Sequence, residues 1–336
     1  MTNRTKTKLT AAFIALSLCV TWFWCTRAVA NGNRNNSLTL FVFVADSHIQ
    51  NHYDKLMDVW KPRIGGNWIA GRLSDAFAHD GALTDAAYQN VFGLYNAGWL
   101  LLIFAALICL ADNPMFVIPL VFAGMCYSLT PPDDVTIYPW DMPSVFFFTL
   151  SFLLWQRRDF GRMLGTIIVG TVFKETCAIT ALLYFFAPLD WKKKIWFFGS
   201  AFAVCLLLKL WITQAVMGHM QICTATFSKS GTDSGFSLVT LTQNLQDFFS
   251  PYGALFLGVN AGTFFVALLL PASTLAEKGI KTVLVVFLIG QSFAGAYREL
   301  REFMDVLPMS VLYLNRIVQI WRTSVAGPGR LRPPQS

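Results

Sequence analysis

Charged residues are scarce in this sequence. Asp, Glu, Lys and Arg make up 13% of its 336 residues, whereas a soluble domain carries about 25%. Hydrophobic residues make up 55% of the chain, and they cluster into runs that approach the roughly 20 helical residues needed to cross a bilayer. This composition excludes an ordinary soluble domain and predicts an all-α, polytopic integral membrane protein.

Motifs of several enzyme classes are also missing. The sequence has no Walker loop, no Gly-x-Ser-x-Gly motif and no dinucleotide fingerprint, so it predicts no cofactor and gives no support to ATP-driven, serine-hydrolase or redox chemistry. Its cysteines show no metal-ligand spacing and nearly all lie in apolar runs. His48 and His52 would share a helix face, but no acidic residue at a fixed spacing completes a ligand set. We therefore predict no metal site.

The formal net charge of +7 comes from short basic clusters that lie between apolar runs. Such clusters are typical of the cytoplasmic loops of membrane proteins, so we expect membrane lipid around the chain and no nucleic-acid partner. The sequence leaves the oligomeric state open.

Ten apolar runs are the predicted membrane segments, and their order predicts that both termini are cytoplasmic. The runs are 9–26, 92–111, 115–130, 142–156, 163–173, 176–189, 195–216, 253–273, 280–296 and 304–320. The first run can also be read as a signal peptide that ends at Ala28-Val29-Ala30, but its length and Arg27 favour a retained helix.

The segment 163–189 is predicted to be a hairpin of two short helices that turns at Lys174 and Glu175. A single helix would place both charges in the middle of the membrane, where adjacent residues do not face each other and so cannot readily pair. The hairpin puts eight Lys and Arg of the following loops in the cytoplasm and three outside, as the positive-inside rule requires.

The predicted organisation is one transmembrane domain over 1–320 and a basic, disordered cytoplasmic tail over 321–336. Residues 31–91 form the largest loop, on the outer side. Within this loop, Tyr53–Trp60 and Trp68–Phe77 are predicted to be helices that lie along the membrane surface. Thr84 is the predicted N-cap of the helix that enters the next segment.

Nearly all ionisable residues in or near the membrane fall on the predicted outer side, and such residues are candidates for function. They include Asp46, Asp54, Arg63, Asp141, Lys174, Glu175, Lys209, Arg298, Arg301 and Asp305. A carboxylate can remove a proton from an acceptor hydroxyl, and Arg and Lys can hold the phosphate of a lipid-linked donor. These residue types therefore indicate group transfer from a lipid carrier. Intramembrane charges also suit a transporter or lipid flippase, and a non-catalytic scaffold subunit is a further alternative.

Four local strings resemble motifs of the GT-C superfamily of integral membrane glycosyltransferases. They are Lys61-Pro62-Arg63-Ile64 in the first loop, Asp141-Met142-Pro143-Ser144 at a helix start, Phe173-Lys174-Glu175-Thr176 at the hairpin tip, and Glu299-Leu300-Arg301-Glu302 with Pro308 near the end. The resemblance implies transfer of a sugar from a polyprenyl-phosphate carrier to an acceptor on the outer side.

The resemblance also implies roles for individual residues. Asp46 would be the catalytic base, with Asp54 in reserve, and Arg298 or Arg301 would hold the donor phosphate. Arg63, Lys174 and Glu175 would contribute to substrate binding.

Overall fold

The computed structural model describes a helical protein. The described residues are 3–43, 63–77, 84–128, 137–138, 140–217, 238–251, 253, 259–294 and 300–325, and these ranges contain no β-strand. The α-helices are α1 (Asn3–Phe43), α2 (Ile64–Phe77), α3 (Asp85–Leu110), α4 (Pro114–Ser128), α5 (Asp141–Gln156), α6 (Phe160–Phe173), α7 (Trp191–Met217), α8 (Leu238–Phe248), α9 (Val259–Leu269), α10 (Leu275–Ala294) and α11 (Leu307–Val325). Two 3-10 helices accompany them, Glu175–Phe186 and Leu300–Val306.

Among the residues that the structure describes, three helices are long and apolar enough to cross a membrane: Thr5–Arg27 within α1, Asp85–Leu110, and Trp191–Ala215 within α7. Shorter apolar helices accompany them at Pro114–Tyr127, Phe160–Phe173 and Glu175–Phe186. The chain is therefore an all-helical protein with the helix lengths and composition of a membrane protein.

Helix α7 has the features of a helix in contact with lipid. Trp191 and Trp211 near its two ends are 63% and 66% exposed, and the rise of 1.5 Å per residue separates them by about 30 Å, close to the thickness of the hydrocarbon core. Its first turn is capped by Asp190, whose carboxylate accepts a hydrogen bond from the backbone N–H of Lys193 at 2.9 Å. This hydrogen bond lowers the pKa of Asp190.

The predicted hairpin is present. Helix α6 ends at Phe173, because Lys174 adopts an extended backbone with φ −152° and ψ 128°. The chain then folds back, so that the Tyr184 hydroxyl donates to the Phe160 carbonyl at 2.9 Å. The turn at Lys174 is thus confirmed, and the second arm is a 3-10 helix.

Helices α2 and α3 also begin close to where the sequence predicts. Trp68 on α2 is 63% exposed, whereas Ala70 and Ser74 are fully buried, which gives the amphipathic pattern expected for Trp68–Phe77. The Thr84 side chain accepts a hydrogen bond from the Ala87 N–H at 3.2 Å and caps α3. The other predicted surface helix, Tyr53–Trp60, lies outside the described residues.

Three boundaries differ from the prediction. Helix α1 continues to Phe43, into the predicted loop at 31–91, because the cost of Asn and Gly in a helix, up to about 1 kcal/mol each, does not suffice to end it. Helix α8 occupies part of the segment predicted as loop 217–252, since Leu238, Leu241, Leu245 and Phe248 follow a helical period. Near the C-terminus, α11 continues to Val325, into the tail predicted to be disordered from 321, and no Gly or Pro occurs there before Gly327.

Candidate functional site

Six charged residues from separate parts of the chain meet at the tip of the hairpin, and we call them the charged cluster. They are Arg63 before α2, Asp141 at the start of α5, Lys174 and Glu175 at the hairpin turn, Lys209 in α7, and Asp305 in the second 3-10 helix. Gly65 helps to bring α2 to the tip, because a Cβ atom at this position would lie only 3.1 Å from the ring of Phe173.

Lys174, Asp141 and Asp305 form the buried group of the cluster. Each side chain is 1% exposed. The Lys174 Nζ lies 3.1 Å from Asp305 Oδ2 and 3.8 Å from Asp141 Oδ1. This lysine therefore connects the start of α5 with the second 3-10 helix and joins both to the hairpin.

Uncharged donors also contact the two buried carboxylates. Asp305 accepts hydrogen bonds from the Ser144 hydroxyl and, at 3.0 Å, from the Thr176 hydroxyl. Asp141 accepts one from the backbone N–H of Tyr138 at 2.9 Å. These bonds offset part of the cost of removing carboxylates from water.

Arg63, Glu175 and Lys209 form the open group. The Arg63 guanidinium contacts both oxygens of Glu175, with Nη2–Oε1 at 3.0 Å and Nε–Oε2 at 3.4 Å. The Lys209 Nζ lies 3.5 Å from Oε2 of the same carboxylate. The Glu175 side chain is 34% exposed, while those of Arg63 and Lys209 are 10% and 7% exposed.

Aromatic rings fix the position of Arg63. Its guanidinium carbon lies 4.9 Å from the centre of the Trp140 ring, a distance at which a cation is attracted to the ring face. Trp140 in turn stacks on Tyr138 with 4.9 Å between ring centres. Since Trp140 directly precedes Asp141, one short stretch of chain supports both groups of the cluster.

The break at Lys174 explains how two neighbouring residues enter different groups. Successive side chains point in opposite directions along an extended backbone, so Lys174 enters the buried group while Glu175 enters the open group. With all six side chains ionised, the buried group has one cation and two carboxylates and carries a charge of −1. The open group has two cations and one carboxylate and carries a charge of +1.

The structure brings together three of the residues predicted for the site: Arg63, Lys174 and Glu175. Arg301 belongs to the second 3-10 helix, four residues before Asp305. Asp46, Asp54 and Arg298 lie outside the described residues, so their predicted roles stay predictions.

The other three members of the cluster, Asp141, Lys209 and Asp305, stand among the ionisable residues of the predicted outer side, but the sequence alone did not assign them to a site. The available signal was that all lie at or within apolar helices, where a charge requires a partner. In the part of the chain that the structure describes, no group of three or more His, Cys, Asp or Glu side chains is placed to hold a metal ion.

The open group holds two cations against a single, partly exposed carboxylate. The side chains of the buried group are 1% exposed and present no surface to a ligand. No protein-family model matches this chain, and no curated protein or solved structure matches it either.

Proposed function

We propose that this chain is a multi-pass protein of the cell (inner) membrane that transfers a sugar from a polyprenyl-phosphate carrier to an acceptor on the outer side. In this proposal the chain has ten membrane segments, and both of its termini lie in the cytoplasm. The tryptophans near the two ends of α7 support the span of that helix. The basic run Lys192-Lys193-Lys194 beside Trp191 supports a cytoplasmic start for it.

The observation that carries the proposal is the composition of the open group. Arg63 and Lys209 share one carboxylate, so the group keeps an excess positive charge where Glu175 is 34% exposed. Arg and Lys are the side chains that bind phosphate best. Both are paired with Glu175 in this structure, so donor binding requires the phosphate to share or displace that carboxylate. The surrounding apolar helices are a suitable environment for the polyprenyl chain.

The buried group supports the same proposal as a positioning element. Lys174 joins α5, the hairpin and the second 3-10 helix, and this contact keeps the adjacent Glu175 in place. Two arginines are predicted to hold the donor phosphate. Arg301 belongs to that 3-10 helix, and Arg298 precedes it in the sequence. Donor binding thus involves the tip of the hairpin and the start of the last helix.

In the proposed reaction, a carboxylate accepts the proton of an acceptor hydroxyl. The hydroxyl oxygen attacks the anomeric carbon of the sugar, and the bond between this carbon and the phosphate oxygen breaks with inversion. Arg63 and Lys209 stabilise the negative charge on the departing phosphate. Asp46 is the proposed base, with Asp54 in reserve.

The test is a mass profile of surface glycans and glycolipids from a deletion strain that carries either wild-type protein or a variant. We expect the deletion to remove one sugar unit, wild type to restore it, and Asp46→Asn and Arg63→Gln to be inserted normally without restoring it. Arg72→Gln is the matched control, because Arg72 lies on α2, its side chain is 71% exposed, and its contact with Asp75 is long, at 3.9 Å. An unchanged profile in the deletion strain would contradict the proposal, and full restoration by Asp46→Asn would remove that residue as the base.

One observation favours a second candidate, a transporter or lipid flippase. Lys174 lies between two carboxylates inside an apolar bundle, and buried ionisable groups of this kind mark transport and proton pathways. Purified protein in detergent separates the two functions, because a transferase still joins the lipid-linked donor to its acceptor when no membrane barrier exists. A flippase does not, and a scaffold subunit shows neither activity.

A further inference from the structure

A second polar site lies at the end of the bundle opposite the charged cluster. A cavity of about 430 Å³ opens where α5 ends and α10 begins. Helix α5 reaches both sites, with Asp141 in the cluster and Gln156 at the cavity, and its length separates them by about 22 Å. The cavity is therefore independent of the proposed glycosyl-transfer site.

The lining of the cavity is part aromatic and part charged. Phe186 and Leu275 provide accessible apolar surface, Phe152, Trp155 and Tyr313 are buried in the wall, and Arg158 and Arg316 provide cationic groups. Ligand pockets typically have volumes of about 300–1,000 Å³ and combine an apolar wall with a few polar groups. Its size and lining thus suit an amphipathic small molecule.

A buried glutamate holds one of the two arginines in place. Glu277 is 1% exposed, and its Oε2 accepts hydrogen bonds from the backbone N–H groups of Ser273 and Thr274 at 2.7 and 2.9 Å. The Thr274 hydroxyl accepts the Glu277 N–H at 3.2 Å, which completes a capping box at the start of α10. The other oxygen, Oε1, lies 3.2 Å from Arg316 Nε.

This pairing leaves the outer part of the guanidinium available. The closest approach of Glu277 is to Nε of Arg316, and the two terminal nitrogens of Arg316 make no hydrogen bond with the residues that the structure describes. The Arg316 side chain is 45% exposed. An arginine oriented through Nε by a fixed carboxylate presents its terminal N–H groups to a ligand as a preorganised donor pair.

Arg158 adds a second donor at the end of α5. Its φ of 58° is that of the residue after the helix end in a Schellman motif, in which the Arg158 N–H donates to the Trp155 carbonyl and the Asp159 N–H to the Leu154 carbonyl. Within the described ranges, its guanidinium forms no ion pair. Asp112 also lines the cavity, but this carboxylate is exposed and its repulsion of an anion is screened by solvent.

We propose that this cavity binds a phosphate ester, with Arg158 and Arg316 on the phosphate and Phe186 and Leu275 against the apolar part of the molecule. A phospholipid head group and a soluble phosphate monoester both have this chemistry. Glu277 acts as a positioning residue for Arg316, and its own carboxylate, which also lines the cavity, is held by the backbone N–H groups of Ser273 and Thr274.

The experiment uses the full-length protein and two probes. Native mass spectrometry measures retention of phosphatidylglycerol from mixed micelles with neutral phosphatidylcholine, and a thermal-shift titration measures binding of glycerol 3-phosphate. We expect Arg158→Gln and Arg316→Lys each to weaken binding by about tenfold, which corresponds to the loss of one charge-assisted contact. Arg157→Gln, at an adjacent exposed residue that does not line the cavity, should leave binding within about twofold.

The pattern of results distinguishes the sources of the phosphate. If phosphatidylglycerol is retained and both Arg158→Gln and Arg316→Lys weaken its retention, the ligand is a lipid head group. If glycerol 3-phosphate binds and the same two variants weaken its binding, the ligand is a soluble ester. An equal loss with Arg157→Gln would mean unspecific attraction to basic loops and would overturn the proposal, as would the absence of binding for both probes. Arg158→Gln removes no ion pair, so misfolding cannot account for its effect if its melting temperature without ligand equals that of wild type.

Discussion

The two groups of the charged cluster are neighbours, yet they differ in access to solvent and in charge. The buried group, Asp141, Lys174 and Asp305, is 1% exposed and carries one cation for two carboxylates. The open group, Arg63, Glu175 and Lys209, carries two cations for one carboxylate, and Glu175 is 34% exposed. The excess charge of the first is negative and that of the second positive.

This difference indicates different roles. The negative excess of the buried group is offset by hydrogen bonds from Ser144, Thr176 and the Tyr138 backbone, so it needs no ligand. The positive excess of the open group belongs to Arg63 and Lys209, which are 10% and 7% exposed and both contact the more exposed Glu175. Because desolvation largely cancels the attraction within a buried ion pair, we interpret the buried group as a device that determines which helices meet, and the open group as the part available for binding.

Removal of the cation from the buried group should have the largest effect. Lys174→Met leaves Asp141 and Asp305 without their counter-ion, and loss of one partner of a buried pair costs about 3–5 kcal/mol. We expect a corresponding fall in the free energy of unfolding in detergent, measured by circular dichroism. Lys192→Met, at an exposed lysine of α7, is the control and should lie within about 0.5 kcal/mol of wild type.

A neutral version of the buried group tests the cause of that loss. The triple variant Lys174→Met, Asp141→Asn, Asp305→Asn has no uncompensated charge and should regain more than half of the stability lost in the single variant. If it is no more stable than the single variant, the unpaired charges of Asp141 and Asp305 are not the cause of the loss, and the comparison between the two groups loses its electrostatic basis.

A smaller effect is expected from the close packing below the hairpin tip. A Cβ atom at Gly170 would lie 2.9 Å from the Phe147 Cβ and 3.0 Å from the Cys177 Cβ, so Gly170→Ala forces the arms of the hairpin apart and should cost about 1–3 kcal/mol. Gly165→Ala on the same helix is the control, because no atom lies within 4 Å of its Cβ. It should be neutral or stabilise by up to about 1 kcal/mol. Equal stability of the two variants would show that the arms do not need this close contact.

The sequence predicted those features that depend on neighbouring residues. Charges at Lys174 and Glu175 inside an apolar stretch predicted the break in 163–189, since a continuous helix would bury both without a partner. Thr84 predicted the start of α3 through its capping side chain, and Trp68 with its polar neighbours predicted an amphipathic α2. In each case the cause acts over one or two helical turns, and so it is visible in a short stretch of sequence.

The pairing of charges could not be predicted in this way. Arg63 and Glu175 are 112 positions apart in the chain, and the choice of partner for each depends on how α2, α7 and the hairpin pack. Helix α8 lies in a segment predicted as loop, and its Asn244 donates hydrogen bonds to the Gln291 and Ser292 carbonyls of α10, a contact that depends on how the two helices pack. The proposed base at Asp46 stays a prediction, because it lies outside the described residues.

The smallest loss of stability is expected at the edge of the open group. Lys209→Met removes a single contact of 3.5 Å to Glu175, and Glu175 keeps both contacts with Arg63, so the free energy of unfolding should fall by about 1 kcal/mol or less. If the proposed function is correct, the same variant should raise the KM for the lipid-linked donor severalfold, while Lys209→Arg, which keeps the charge, should stay near wild type. Circular dichroism in detergent and a donor titration with purified protein measure the two effects separately. A loss of stability as large as that of Lys174→Met would contradict the comparison, because it would mean that both groups form one buried unit with no part reserved for a ligand.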